Sequence, residues 1–242
     1  MIRQPERRTA VYNWPGIIQN LLFPPSCLLC GDQGHAHLDL CLSCRGALPW
    51  LGSACPRCGL PHGGDESQVC GACLRQPPPF DRMVALFRYE EPVRHLIQSL
   101  KFGARLPHAR LLGTLLAEHL KETADWPEAI IPVPLHPSRY RERGFNQSLE
   151  IARWVSRFTR VPLAWHRAGR LRQTDAQSRL HADERKANIR KAFIVNGALP
   201  YRHVAILDDV VTTGATAGEL ARTLRRAGAT RVDVWTCVRA LT

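Results

Sequence analysis

Two adjacent carboxylates follow an apolar block near the carboxyl end of the sequence. Val204–Leu207 is an apolar run of strand length, and Asp208 and Asp209 come directly after it. Because two neighbouring charges are costly to bury, we expect both aspartates at the exposed carboxyl end of a parallel strand, where α/β sheets bind ligands. Such carboxylates accept hydrogen bonds from the vicinal hydroxyls of a ribose and help to hold Mg²⁺.

The segment after the aspartates has the size and composition of a phosphate-binding loop. From about Ala215 the spacing of Leu220, Leu224 and Ala227 predicts a helix, so the loop opens that helix. Its backbone N–H groups and the positive end of the helix dipole would attract a dianion. The alternative is an ordinary strand, an Asp-Asp turn and a threonine N-cap. The candidate phosphate ligands are Val211, Thr212, Thr213, Gly214, Ala215 and Thr216.

Eight of the nine cysteines form four C-x-x-C pairs. Each pair can present two thiolates to one tetrahedral metal, so the four pairs predict two structural zinc sites. Sequential pairing is favoured, although interleaved pairing satisfies the ligand count equally well. Disulfides are the competing interpretation, but a chain without an export signal is expected in a reducing compartment. The candidate ligands are Cys27, Cys30, Cys41, Cys44, Cys55, Cys58, Cys70 and Cys73.

Three histidines and the ninth cysteine have simpler interpretations. His35, His37 and His62 lie among the cysteine pairs and could replace a thiolate, but with eight thiols present we expect them in turns or at the surface. Cys237 lies in the strand-like run VDVWTCVRA and is expected to be a small core residue.

The cysteine-rich region is too small and too poor in large apolar residues to fold well on a core alone, so metal ligation would stabilise it. Pro77–Pro79 form a stiff break before the strand-like run FDRMVALFRYE. We therefore predict a double zinc ribbon over residues 24–79 and an α/β domain over residues 80–242.

A second predicted strand precedes a cluster of arginines. Ile130–Val133 has the composition of a buried strand, and the proline-rich turn after it carries Arg139, Arg141 and Arg143 before a helix that starts near Gly144. Guanidinium forks bind phosphate oxygens in bidentate fashion. A solvated basic turn is the alternative. Lys101, in a predicted helix, could approach a phosphate, but a solvated helix end is the favoured interpretation.

The run ILDDVVTTGAT resembles the signature of type I phosphoribosyltransferases, which bind phosphoribosyl pyrophosphate (PRPP). The resemblance implies a parallel sheet flanked by helices, with the paired acids on the ribose beside Mg²⁺ and the following loop on the 5-phosphate. Asp208 and Asp209 are then the candidate catalytic residues. In that fold a loop at the position of Arg139 and Arg143 holds the pyrophosphate.

The order of motifs along the chain also resembles the ComF family of bacterial competence-associated proteins. The cysteine-rich module, the segments LKF and PVPLHPSRYRERGFNQS, the arginine-rich stretch and ILDDVVTTGAT carry this resemblance from about Phe23 to Arg239. It implies a role in natural transformation, through the handling of single-stranded DNA. Glutamine amidotransferase activity is not expected, because Met1 is followed by Ile2 and the cysteines are committed to metal.

The arginine-rich stretch from Leu171 to Lys191 is too polar to pack as a core element, and it predicts a hood that closes over the ligand. Its guanidiniums could equally follow a nucleic-acid backbone. The residues that match polar positions of the family pattern are Arg172, Gln173, Gln177, Arg185 and Asn188.

Three functions remain open at this point. The first is a competence factor that binds single-stranded DNA and carries a PRPP pocket. The second is a PRPP- and Mg²⁺-dependent phosphoribosyltransferase, a pentosyl-transferring enzyme with an unidentified acceptor. The third is an adaptor whose zinc module docks onto proteins of a DNA-uptake machine.

The charge distribution favours a polyanionic partner. The net charge is +12, and residues 136–191 hold 14 basic and 5 acidic residues. Arginine excess from genomic base composition is the alternative, since only 4 of the 33 basic residues are lysine. No apolar run approaches the roughly 20 residues that span a bilayer, and the first residues do not read as a secretory signal. We therefore expect a cytoplasmic protein without a membrane span.

Overall fold

The computed structural model describes residues 24–36, 38–65, 67–122, 125–172 and 191–241. They belong to two compact units that divide after Ala47. The predicted boundary between residues 79 and 80 stays a prediction. The first unit contains helix α1 (Leu42–Gly46). The second contains α2 (Gly71–Arg75), β1 (Arg82–Arg88), α3 (Val93–Gly103), α4 (Leu106–Leu120), β2 (Ala129–Pro132), α5 (Pro137–Arg143), α6 (Gln147–Thr159), a 3₁₀ turn (Trp165–Arg167), β3 (Ala168–Arg170), β4 (Phe193–Val195), β5 (His203–Val211), α7 (Ala215–Arg226) and β6 (Arg231–Arg239).

Four strands of the second unit form a parallel sheet in the order β1-β6-β5-β2. Strands β5 and β6 are paired in register, so that Asp208 lies opposite Thr236 and Val211 lies opposite Arg239. Nearly every residue of both strands is buried, as expected for parallel strands that are covered on both faces. The short strands β3 and β4 form a separate antiparallel pair.

Helices cover this sheet. Helix α7 packs against β5 and β6, and its Leu220 and Leu224 join Val204 and Ile206 in one apolar core cluster. Helices α4 and α6 pack against each other, α4 also against β1 and β6, and α6 also against β2 and β5. The architecture predicted from the sequence, a parallel sheet flanked by helices together with a small cysteine-rich module, is confirmed.

Gly113 allows α4 and α6 to approach closely. A Cβ atom at this position would lie 2.7 Å from both the carbonyl oxygen of Ile151 and the Cβ of Trp154. The helix pair thus depends on the absence of a side chain at Gly113, and it places the first turn of α6 beside the carboxyl end of β5.

Among the described helices, none is both long and apolar enough to cross a membrane.

Candidate functional site

The two aspartates lie inside strand β5, which continues beyond them to Val211. Their residues are only 8% and 3% exposed for Asp208 and Asp209. The prediction that the strand ends before them, and that both carboxylates are exposed, is therefore wrong. The cost of burial is offset because donors from two helices reach the pair.

Asp209 accepts from two side chains that are distant in sequence. The Nζ of Lys101, in the last turn of α3, forms an ion pair with Oδ2 of Asp209. The Nε2 of Gln147, the first residue of α6, donates to Oδ1 at 3.3 Å. Burial lowers the pKa of Lys101, but the carboxylate of Asp209 outweighs this and holds that pKa above its ordinary value. The interpretation of Lys101 as a solvated helix end is wrong.

Asp208 has neutral donors instead. The Oγ of Ser148 donates to its Oδ1 at 3.1 Å, and the backbone N–H of Asp209 donates to the same oxygen at 3.0 Å. Burial and the neighbouring charge of Asp209 raise the pKa of Asp208 to about 8, since both disfavour the carboxylate form. Near neutral pH the protonated form of Asp208 is therefore favoured.

Helix α5 carries the predicted pyrophosphate-binding arginines. The sequence predicts a turn here, whereas the structure forms a short helix that ends at Arg143 with Gly144 as its C-cap, and the next helix begins only at Gln147. The NH1 of Arg143 donates to Oε1 of Gln147 at 2.6 Å, so Gln147 connects this guanidinium to Asp209. Burial lowers the pKa of Arg143, and the charge of Asp209 opposes this effect. Arg139 is half-buried on the same helix.

Arg170, at the end of β3, is a further cation of this site that the sequence does not reveal. Burial and the positive charge of Arg139 lower the pKa of Arg170, and the negative charge of Asp208 opposes them. Lys101, Arg139, Arg143 and Arg170 thus bring four cations into the electrostatic surroundings of two acids. This excess of positive charge suits an anionic ligand.

The predicted phosphate loop links β5 to α7. Gly214, the residue before α7, has the left-handed φ of +77° and is the N-cap of that helix, so no capping side chain is present there. The Oγ1 of Thr213 accepts from the N–H of Ala215 at 3.4 Å. Thr213 is exposed, and Thr212 and Thr216 are half-exposed. The predicted helix after the loop is confirmed, whereas Val211, the first of the candidate phosphate ligands, is buried at the end of β5.

The cysteines gather into two groups of four, in the sequential pairing that the sequence favours. The ligand sulfurs of each group all lie within 4.8 Å of one another, as the coordination of one zinc ion by four thiolates requires. All nine cysteines are free thiols, so the disulfide interpretation is wrong. The first group is Cys27, Cys30, Cys41 and Cys44, and the second is Cys55, Cys58, Cys70 and Cys73.

The two groups share a backbone arrangement around their first cysteine. The N–H of Cys27 donates to the carbonyl of Asp32, and the N–H of Cys55 donates in the same way to that of Leu60. Burial raises the pKa of Cys27 and Cys55, but backbone N–H groups that bond to each sulfur outweigh it and bring both values to about 6. Burial and the neighbouring cysteines act in the opposite direction on the remaining shifted thiols, and the pKa is raised for Cys30, Cys44, Cys58 and Cys73. Cys237 is fully buried in β6, as predicted for a core residue.

Several functional candidates were absent from the sequence interpretation. Gln147 and Ser148 could have been suggested by their place, because they follow β2 and the carboxyl ends of parallel strands meet at one edge. Of the predicted hood, Arg172 is described and exposed. The hood residues Gln173, Gln177, Arg185 and Asn188, and His37 of the cysteine-rich region, lie outside the described residues.

Comparisons with known proteins identify a family for the cysteine-rich region and relatives for most of the chain. Residues 18–74 match the family described as "Double zinc ribbon domain". The chain is 37% identical over 233 residues to "DNA utilization protein YhgH" of Salmonella typhi, covering 91% of this chain and all of the relative. It is 35% identical to "Competence protein F" of Haemophilus influenzae, covering 88% of this chain and 96% of that one. It is 26% identical to "Competence protein ComFC" of Streptococcus pneumoniae, with coverages of 88% and 99%.

The chain matches the solved structure of a purine phosphoribosyltransferase from Pyrococcus horikoshii Ot3. The two chains are 18% identical, with a TM-score of 0.32, over 53% of this chain and 80% of that chain.

Proposed function

Since the chain belongs to the family of DNA utilization protein YhgH and competence protein F, we propose that it is a ComF-type competence-associated protein that binds PRPP or a related sugar phosphate and handles single-stranded DNA. The observation that carries the sugar-phosphate proposal is the joint position of the buried acids, their surrounding cations and the open loop at the start of α7.

The charges around the acids support an anion with several phosphate groups. Lys101 and the arginines exceed the negative charge of Asp208 and Asp209, and burial makes their interactions stronger than in water. In this proposal Arg139 and Arg143 hold the pyrophosphate, because guanidinium forks match its oxygens. The loop from Val211 to Thr216 holds the 5-phosphate.

Ligand binding requires Asp208 and Asp209 to exchange their present hydrogen-bond donors for those of the ligand. The ribose hydroxyls would donate to Asp208 and Asp209 at oxygens that now accept from Ser148 and Gln147. Carboxylate oxygens are the ligands that Mg²⁺ prefers, so the same pair fits a magnesium ion that arrives with the ligand. Such binding also favours the deprotonated form of Asp208 over its protonated form.

The enzymatic alternative within this proposal is pentosyl transfer. A nucleophile forms a bond to the anomeric carbon, the bond from that carbon to the pyrophosphate oxygen breaks, and pyrophosphate leaves with the bonding electrons. The arginines of α5 would stabilise the departing charge. Release of pyrophosphate from PRPP in the presence of nucleobases or amines tests this alternative, and no release above the rate without protein would exclude those acceptors.

Calorimetric titration with PRPP and Mg²⁺ tests the pocket. The double variant Asp208→Asn, Asp209→Asn should bind at least about tenfold more weakly, since the hydrogen bonds to charged acceptors are lost. The matched control is Asp233→Asn, which removes an equally buried acid whose partners are His203 and Arg231. Equal heats for the wild type and the double variant would overturn the proposal.

A surface on α4 and α6 supports the DNA-handling part of the proposal. The guanidiniums of Arg110 and Arg157 lie 5.6 and 5.5 Å from the ring of Trp154, and the ring of Phe158 stacks 6.3 Å from it. Trp154 is half-buried, so part of its ring is exposed to solvent. Rings beside guanidiniums are the groups on which single-stranded DNA stacks its bases and places its phosphates.

A gel shift with a single-stranded oligonucleotide, repeated over a salt series, tests this surface. We expect affinity to fall steeply with salt, and Trp154→Leu to weaken binding by about fivefold or more. Trp165→Leu, at an exposed tryptophan outside the surface, is the control. An affinity that changes neither with salt concentration nor in Trp154→Leu would exclude this surface as the DNA-binding site.

Location and partners complete the proposal. Free thiols in two zinc-type groups need a reducing environment, which supports the cytoplasm as the location. Docking of the zinc ribbons onto proteins of a DNA-uptake machine would bring the DNA to the chain. Fractionation of cells tests the location, and recovery of the protein outside the cytoplasm would contradict it. Cross-linking in intact cells tests the docking of the zinc ribbons onto other proteins.

A further inference from the structure

Arg239, the last residue of β6, joins the second cysteine group to the phosphate loop. It is only 4% exposed. Its Nε donates to the carbonyl of Cys58 at 2.8 Å. Its NH1 donates to the carbonyls of Val211 at 3.2 Å and Ala240 at 2.8 Å, and also to the carbonyl of Thr212. One guanidinium therefore holds a metal-ligand residue and the first residues of the loop.

The chemistry of Arg239 makes this bridge rigid. A guanidinium is planar and presents its donors in a fixed fork, so the carbonyls that it binds are fixed relative to each other. Burial lowers the pKa of Arg239, while the charges of Cys58 and Cys73 oppose this effect. Four thiolates around one Zn²⁺ carry a formal charge of −2, which favours a cation at this place.

The second cysteine group also packs onto the strand next to Arg239. The N–H of Met83, in β1, donates to the carbonyl of Pro56 at 2.8 Å. A Cβ atom on Gly59 would lie 2.9 Å from the Sδ of Met83 and 3.6 Å from the Cδ of Arg239. The turn from Cys55 to Gly59 is therefore fixed against the sheet, and a change in this turn acts directly on Arg239.

A cleft of about 810 Å³ lies along this bridge. Cys58 and Cys73 line it on the side of the cysteine group, Thr213 and Gly214 line it on the side of the loop, and Arg239 lies between them. The hydrogen bonds of Arg239 connect the two sides of this cleft directly, from the carbonyl of Cys58 to that of Thr212.

We propose that Arg239 is a positioning residue through which the metal state of the second cysteine group sets the conformation of the phosphate loop. With the metal bound, the carbonyl of Cys58 is fixed, the fork of Arg239 is fixed, and the loop is held open for an anion. Loss of the metal releases Cys58, and the loop loses its anchor. The inference rests on the proposed function only in taking this loop as the anion site.

Hydrogen exchange of the intact chain, followed by mass spectrometry, tests the proposal without any ligand. In the wild type, removal of zinc with a chelator should accelerate amide exchange in a peptide over residues 211–218 by about tenfold. In Arg239→Met the same peptide should exchange fast from the start and respond no further to the chelator. A peptide over β2 must stay unchanged, which shows that the sheet remains folded.

Two further variants separate positioning from general stabilisation. Arg239→Lys keeps the charge but lacks the fork, so it should behave like Arg239→Met. Arg225→Met is the matched control, because Arg225 also donates to backbone carbonyls, those of Pro79 and Thr230, and to none in the loop. It should keep the response of residues 211–218 to the chelator.

The outcomes are distinct from those of the PRPP titration. If chelation exposes the second cysteine group and leaves exchange over residues 211–218 unchanged in the wild type, the proposal is overturned. If Arg239→Lys behaves like the wild type, a positive charge at this position is sufficient, and the proposed bridging of Cys58 to the loop by the guanidinium is wrong. If the loop responds to chelation but PRPP does not bind, the proposed function fails and the role of Arg239 stands.

Discussion

The Nζ of Lys101 forms an ion pair with Oδ2 of Asp209, although 108 positions separate the two residues in the sequence. The lysine side chain is 23% exposed and the aspartate side chain 4%, so the pair is largely removed from water. The pair fixes the last turn of α3 to the carboxyl end of β5. A buried pair of this kind is costly to break, because each partner would leave the other uncompensated.

Removal of Lys101 should therefore destabilise the protein. We expect Lys101→Met to lower the free energy of unfolding by about 3 kcal/mol, since Asp209 is then buried without its cation. Adding Asp209→Asn should restore part of that loss. Urea unfolding measures both effects, with Lys121→Met, at an exposed lysine after α4, as the control. No loss in Lys101→Met beyond that of the control would contradict the buried pair.

The pKa of Asp208 predicts how stability depends on pH. Its pKa is about 8 in the folded protein against 3.8 ordinarily, so between these values the folded state holds a proton that the unfolded state has released. The free energy of unfolding should thus fall as pH rises through this window, by at most about 1.4 kcal/mol per pH unit. Asp208→Asn should flatten the profile. A wild-type profile identical to that of the variant would refute the raised pKa.

Each cysteine group should hold one zinc ion. Metal analysis of the purified wild type should give about two zinc ions per chain, whereas Cys27→Ser and Cys55→Ser should each lose about one, because a closed tetrahedral site needs all four thiolates. Cys237→Ser is the control, since Cys237 belongs to neither group. Retention of both ions in either ligand variant would contradict the grouping.

The contact at Gly113 predicts a steric effect. Gly113→Ala should lower the free energy of unfolding by about 1 to 3 kcal/mol, because its Cβ would overlap the backbone of α6. Gly103→Ala is the control, since the nearest atom to its Cβ, from the flexible side chain of Arg105, would be 3.7 Å away. Equal stability of the two variants would show that α4 and α6 can separate without cost.

The local parts of this fold could be predicted from the sequence. The apolar run before Asp208, the helix after Gly214 and the sequential cysteine groups depend on residues close to one another in the chain, and all three are confirmed. The ComF resemblance is confirmed by the relatives, which cover most of the chain. The roles of Asp208, Asp209 and the loop in binding stay predictions.

The remaining features depend on contacts between distant elements. The burial of the aspartates was not predictable, because Lys101, Gln147 and Ser148 come from two other helices. The role of Arg239 was hidden for the same reason, since Cys58 lies 181 positions away. Local propensity places helices and strands, but it contains no information about which polar side chains meet at a sheet edge.

The pairing of Val211 with Arg239 limits how the chain length can vary. Successive side chains of a strand point to opposite faces, so a single-residue insertion between Arg231 and Arg239 would turn the guanidinium to the other side of the sheet. An inserted or deleted residue within β6 is therefore expected to separate the guanidinium from the carbonyls of Cys58 and Thr212.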